Sequence, residues 1–219
     1  MISKTHNLIV LMPPKTASNS IRTSLENQGV IFHKDNQTLP QIHLKLSEII
    51  DRYNINKLDD YKIIQIVRDP YLRFISSYFF QKKITPNNNE VIFRNYDLEE
   101  FSTHLLNSKK TNNFLESFYG DTSFVNHQIK NGISWGGSRF YDTQTSWNDL
   151  GEQINYFKLE EISNNTNKIK ELTNLPIVGL THLNSQNLSI DYNELITPKI
   201  KDIVIELFEE DFTTFGYEK

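Results

Sequence analysis

The sequence predicts an α/β fold, a single domain over residues 1–219 with a central parallel sheet flanked by helices. Three observations predict it. The apolar run Asn7–Met12 leads straight into the turn Pro13-Pro14-Lys15-Thr16-Ala17-Ser18-Asn19-Ser20, after which an amphipathic helix begins. A second apolar run, Lys62–Val67, ends at Arg68-Asp69-Pro70, and a helix follows it as well. Strand–helix alternation of this kind calls for parallel strands joined by right-handed crossovers. The third observation is size: 219 residues support one good core and are short for two domains.

The first strand covers Leu8–Met12, and its helix runs from near Ser18 to Asn27. Gly29 punctuates the chain, and Val30-Ile31-Phe32 reads as a short second strand. Past a polar link through Asn36 and Gln37, the stretch Leu46–Tyr53 has helical periodicity. After strand Lys62–Val67, Asp69 falls at an N-cap and Pro70 at the first helical position, where proline's missing N–H is not needed. Thr85–Asn95, rich in asparagine and charge, reads as a surface loop. Asp97 with Glu100 makes a capping-box-like helix start, and Asn112–Tyr119 reads as helical. Ser134–Trp147 is irregular. Ile154–Leu159 reads as a further strand and Asn165–Thr173 as a helix. Thr197 as N-cap and Pro198 at the first position open the last helix, whose apolar residues recur every three to four positions.

Composition narrows the function classes. A hydrophobic content of 37% with 12% aromatics is that of a globular chain. The net charge of −4 argues against broad nucleic-acid binding while allowing a local basic pocket. There is no cysteine, hence no disulfide framework and no thiolate metal site. None of the six histidines forms a close ligand pair such as H-E-x-x-H, so no metal is expected. The apolar run near the N-terminus is far shorter than the ~20 residues that span a bilayer, and it lacks a signal-peptide cleavage region. The Asn-x-Ser/Thr triplets at Asn36, Asn164 and Asn187 then read as chance in an asparagine-rich chain. The expectation is a cytoplasmic protein that engages no membrane.

The loop after the first strand carries chemistry. A strand, a hydroxyl-rich turn with one lysine, and a helix N-terminus make an anion cradle. First-turn N–H groups point outward, the helix dipole favours negative charge, and Lys15 adds a full positive charge. The phosphate loop of nucleoside triphosphatases requires G-x-x-x-x-G-K-[ST], whereas this loop has no glycine and its lysine precedes the small residues. The second strand ends on Arg68, and Ser76 follows eight positions on, about two turns into the next helix. Strand C-terminal ends are where open α/β sheets bind ligands.

Together these segments resemble the sulfotransferases that use 3′-phosphoadenosine 5′-phosphosulfate (PAPS). PPKTASNSI resembles their 5′-phosphosulfate loop, and VRDPYLRFISSY resembles their 3′-phosphate motif, with Arg68 and Ser76 at its characteristic spacing. Two later segments resemble the carbohydrate-type branch: His182-Leu183-Asn184-Ser185, and the run from Ile196-Thr197-Pro198 to Phe215-Gly216-Tyr217. The resemblance implies a P-loop-like sulfotransferase fold, PAPS as donor, adenosine 3′,5′-bisphosphate as product, no metal, and a saccharide or other hydroxyl acceptor. It spans nearly the whole chain and is poorly anchored over Thr85–Gln153.

Roles follow for individual residues. Lys15 would stabilise the charge that grows on the leaving phosphate, as positioning and electrostatics do in loose phosphoryl transfer. Thr16, Ala17, Ser18, Asn19 and Ser20 would bind the 5′ end of the donor, with a helix cap as the other reading of Ser18. Arg68 suits the 3′-phosphate because its planar fork binds phosphate at two points. An ion pair with Asp69 is the alternative. Ser76 would donate to the same phosphate, and alone it would read as a packing residue. Arg73 reads equally as a solvated side chain.

The acceptor hydroxyl needs a general base. His43, one helix before the Arg68 strand, resembles the histidine that carbohydrate-type enzymes keep there. His33 is the runner-up, and Glu48 could orient His43 or replace it. His127 and His182 fall in stretches expected to line the pocket, whereas His6 and His104 read as surface residues. Trp135, Phe140, Tyr141 and Trp147 could stack on a sugar, although core packing explains aromatics more often. Two other functions stay open from the residues: a kinase with an atypical phosphate loop, and a nucleotide-binding module without a base.

Overall fold

The computed structural model describes residues 1–33, 43–84, 95–111, 138–162, 166–173 and 192–219. The expected helix at 112–119 lies outside them, as do the triplet asparagines 36, 164 and 187 and all of the expected loop at 85–95 except its last residue. The strands are β1 (Ile2–Ser3), β2 (Leu8–Leu11), β3 (Lys62–Val67) and β4 (Asn155–Lys158). The helices are α1 (Ser18–Glu26), α2 (Leu46–Tyr53), α3 (Pro70–Ile84), α4 (Leu98–Thr111), α5 (Thr166–Thr173) and α6 (Pro198–Phe215). The chain forms two compact units: Met1–Asp69 with Gln144–Asn187, and Pro70–Thr143 with Leu188–Lys219.

The first unit holds the sheet, in the order β1-β2-β3-β4. β2, β3 and β4 run parallel, as expected, with Leu11 opposite Gln65 and Val67 opposite Lys158. β1 was not foreseen. It pairs antiparallel with β2, Ile2 opposite Ile9, and two residues carry no periodic signal. Because side chains alternate across a strand, β2 serves two cores. Leu8 and Val10 join Ile64, Ile66, Phe157, Ile21 and Leu25 of α1, and Ile169 of α5. Ile9 and Leu11 join Ile63, Trp147, and Leu46, Ile49 and Tyr53 of α2. Each such side chain contributes about 1.5–3 kcal/mol when fully buried.

The strand expected at Val30–Phe32 is corrected. Its alternation is real, since Val30 and Phe32 are buried and Ile31 is 66% exposed. The segment nonetheless joins no ladder; only the following residue bonds the sheet, His33 N–H to Ile2 O at 2.8 Å.

The second unit is helical. Phe74 and Tyr78 of α3, Phe101 and Leu105 of α4, and Val204, Phe208 and Phe212 of α6 share one core with Phe140 and Tyr141. The expected capping box is present at α4: Asp97 N–H donates to Glu100 at 3.0 Å, and Glu100 N–H to Asp97 at 2.8 Å. At α6, Thr197 Oγ1 accepts from Ile200 N–H at 3.3 Å, with Pro198 next to it. Gly216 closes that helix at φ 63°, a left-handed conformation glycine adopts without a Cβ clash. Phe208 interrupts α6 with φ −130° and ψ 26°.

Candidate active site

The β2–β3 register, continued past Leu11 and Gln65, brings the Pro13–Ser20 loop level with Val67 and Arg68. Thr16 is fully buried, and its hydroxyl donates to Pro13 O at 2.7 Å, closing the turn. Lys15 (φ 69°) and Ala17 (φ 58°) are both left-handed. That conformation costs a residue with a Cβ roughly 1–2 kcal/mol. Strain of this sort concentrates at functional sites, and left-handed residues alternating with ordinary ones turn successive N–H groups toward one side, making an anion-binding concavity.

The first helical bond of α1 is Ile21 N–H to Ala17 O at 3.0 Å, so the amides of Ser18, Asn19 and Ser20 precede the ladder. Ala17 is the N-cap and makes no side-chain cap, so Ser18 is the first helical residue and not a cap. The first turn carries no acid. Dipole, amides and the absence of a competing carboxylate all suit an anionic ligand there.

The half-buried Arg68 sends Nη1 to Lys15 O at 3.2 Å. A guanidinium thus reaches the backbone of the lysine 53 positions earlier, at the C-terminal ends of neighbouring parallel strands. The Arg68 backbone is held as well. Its N–H donates to Gln144 Oε1 at 2.8 Å, and Gln144 Nε2 donates to its carbonyl at 2.8 Å. Gln65 Nε2 in turn donates to Gln144 O at 2.6 Å. The next amide, of Asp69, donates to Glu160 Oε1 at 2.9 Å.

His43, half-buried, places Nδ1 2.7 Å from Met12 O, at the foot of the same loop. A carbonyl only accepts, so Nδ1 carries the proton and Nε2 is the basic nitrogen of the neutral ring. The start of α2 is fixed around it. Glu48 accepts from Lys45 N–H at 2.8 Å, and Asp149 accepts from Ser47 N–H at 3.0 Å and Ser47 Oγ at 2.5 Å. Glu48 therefore serves the helix start. His33 is exposed and packs edge-on against Tyr53 with ring centroids 5.9 Å apart, so it is tied to β1 and the end of α2 and not to the loop.

Ser76 belongs to the second unit, half-buried on α3. The reading of Arg73 as solvated is corrected, since it is 1% exposed. It pairs with Asp211 at 4.0 Å and donates to Phe140 O at 3.2 Å and Asp142 O at 2.9 Å. Lys109, unforeseen, donates to Tyr141 O and lies 5.2 Å from the Phe208 ring centroid. Burial disfavours its ammonium and lowers its pKa from 10.5 to about 8. Phe140, Tyr141 and Trp147 are 3%, 2% and 0% exposed, so they act as core and not as a sugar platform. His6 and His104, expected at the surface, are half-buried. His127, Trp135 and the 182–185 segment lie outside the described residues.

Gln144 and Asp149 escaped the sequence reading. Both sit in or beside a stretch without periodicity, and a glutamine there carries no local signal. Among the described residues no group of three or more His, Asp or Glu is placed to hold a metal ion, and no helix is long and apolar enough to cross a membrane.

The model of the Sulfotransferase family matches residues 1–218, so the chain belongs to that family. It is a transferase of sulfuryl groups. No curated protein and no solved structure matches it.

Proposed function

We propose that the protein moves a sulfuryl group from PAPS to a hydroxyl of a saccharide-like acceptor, as one catalytic domain with no metal. Family membership supplies the reaction class. The observation that carries the finer reading is the bond from Arg68 Nη1 to Lys15 O, which joins the two donor motifs that the sequence holds far apart.

When bound, the donor supplies the sulfuryl group and a phosphate that leaves with the electron pair of the broken S–O bond. The backbone amides of Thr16, Ala17, Ser18, Asn19 and Ser20, with the side chains of Ser18, Asn19 and Ser20, bind its 5′ end. The Lys15 ammonium offsets the charge gained by the leaving oxygen, and Arg68 binds the 3′-phosphate. His43 takes the acceptor's proton on Nε2, the nitrogen left basic by the Met12 contact.

The test uses PAPS labelled in its sulfate, offered with a panel of saccharide and non-saccharide hydroxyl compounds. Label appearing on saccharides supports the reading. Label confined to non-saccharide acceptors would overturn the acceptor class, and donor binding without transfer to any acceptor would leave a binding module.

A further inference from the structure

We infer that Gln144 is a positioning residue for Arg68, and through it sets the preference of the site for a nucleotide bearing a 3′-phosphate. The inference rests on the donor reading above. Arg68 lies one residue beyond the last β3–β4 pair, Val67 with Lys158, so its peptide falls outside that ladder. Gln144 bonds both of its peptide groups. Its carboxamide accepts from Arg68 N–H and donates to Arg68 C=O, both at 2.8 Å, as a residue of a neighbouring strand would.

The clamp is rigid on its own side. Gln144 is 0% exposed, its carbonyl accepts from Gln65 Nε2 at 2.6 Å and from Trp147 N–H at 3.2 Å, and Gln65 is itself 0% exposed within β3. Arg68 is thereby fixed at both ends, its peptide by Gln144 and its guanidinium by Lys15 O. A long side chain loses much of its rotamer freedom when ordered. Holding the peptide from which it projects removes part of that cost before a phosphate arrives, which is how an outer contact sharpens an inner one. Only an amide does both jobs, because a carboxylate cannot donate and a thioether can do neither well.

Calorimetry on the full chain with adenosine 3′,5′-bisphosphate and adenosine 5′-monophosphate separates positioning from folding. The unaltered protein should prefer the bisphosphate. Gln144→Glu and Gln144→Met should each lower that preference about tenfold, the scale of one charge-assisted hydrogen bond, with affinity for the monophosphate nearly unchanged. For Gln144→Glu the preference should return on acidification, relative to the unaltered protein at the same pH, since a protonated carboxyl regains a donor.

Variants that keep the full preference, or that lose both nucleotides equally, overturn the role of Gln144 and leave the donor reading standing. An unaltered protein with no preference overturns the donor reading and this inference with it. Should both variants fail to fold, hydrogen exchange in the unaltered protein decides: the Arg68 amide should be as slow as those of Ile64 and Ile66, and rapid exchange overturns the clamp.

Discussion

Replacing Arg73 by methionine should destabilise the protein by about 3–5 kcal/mol, the usual consequence of leaving one partner of a buried ion pair alone. Methionine keeps most of the stem's volume, so little packing is lost. The charge is lost. Asp211 is 0% exposed, and its carboxylate would remain in the core without the guanidinium 4.0 Å away.

The carbonyls Arg73 bonds add less. Phe140 O also accepts from Ser77 Oγ at 3.4 Å, and Asp142 is only half-buried, so water can reach it. The Arg73 contact with the Phe208 ring, 5.7 Å to the centroid, also goes. Lys109 feels the Asp211 charge and offsets part of the loss, which favours the lower end of the range. About 3 kcal/mol corresponds to a fall in Tm of about 6–12 °C at this chain length.

Urea titration followed by circular dichroism measures the change. Adding Asp211→Leu should recover most of the stability, because exchanging both partners of a buried pair for apolar groups is often near neutral. A loss below about 1 kcal/mol, or a double variant no more stable than Arg73→Met alone, would refute this account of the pair.

Lys15→Ala should lower turnover by about 10²–10³-fold with little change in donor KM, as for other preorganised charge stabilisers, whereas a pure KM effect would assign Lys15 to binding alone. His43→Ala should lose about 10²–10⁴-fold in rate with near-normal donor affinity, measured as kcat beside calorimetric donor binding; an unchanged rate would exclude His43 as the base. Lys109, held near 8 by burial when folded, binds fewer protons in the folded than in the unfolded chain between about pH 8 and 10.5. Stability should therefore rise with pH across that window, and Lys109→Met should flatten the slope in urea titrations at several pH values. Ala17→Gly should raise stability by up to about 1 kcal/mol, since relief of the left-handed strain exceeds the added entropy of the unfolded chain; a lower urea midpoint would argue against strain at that position.

The sequence by itself determined the α/β class, with its parallel strands, and the family. Those signals are local. Apolar runs, a proline at a helix start and a threonine cap act within a few residues, so α2 and α6 begin where periodicity and capping place them. Lys15 and Arg68 stand out in the sequence for the same reason, each lying in a short motif directly after a strand. Only the tertiary structure decided what those motifs do to each other.

The meeting of Arg68 with Lys15 O depends on strand register, and the tautomer of His43 depends on a carbonyl 31 residues away. Gln144 reaches Arg68 across 76 residues. Arg73 turned from a surface charge into a buried one because Asp211 and two carbonyls surround it. Burial and long-range hydrogen bonding belong to the assembled chain, since a side chain's desolvation and its partners are set by whatever the fold packs against it, and no window of neighbouring residues contains that information.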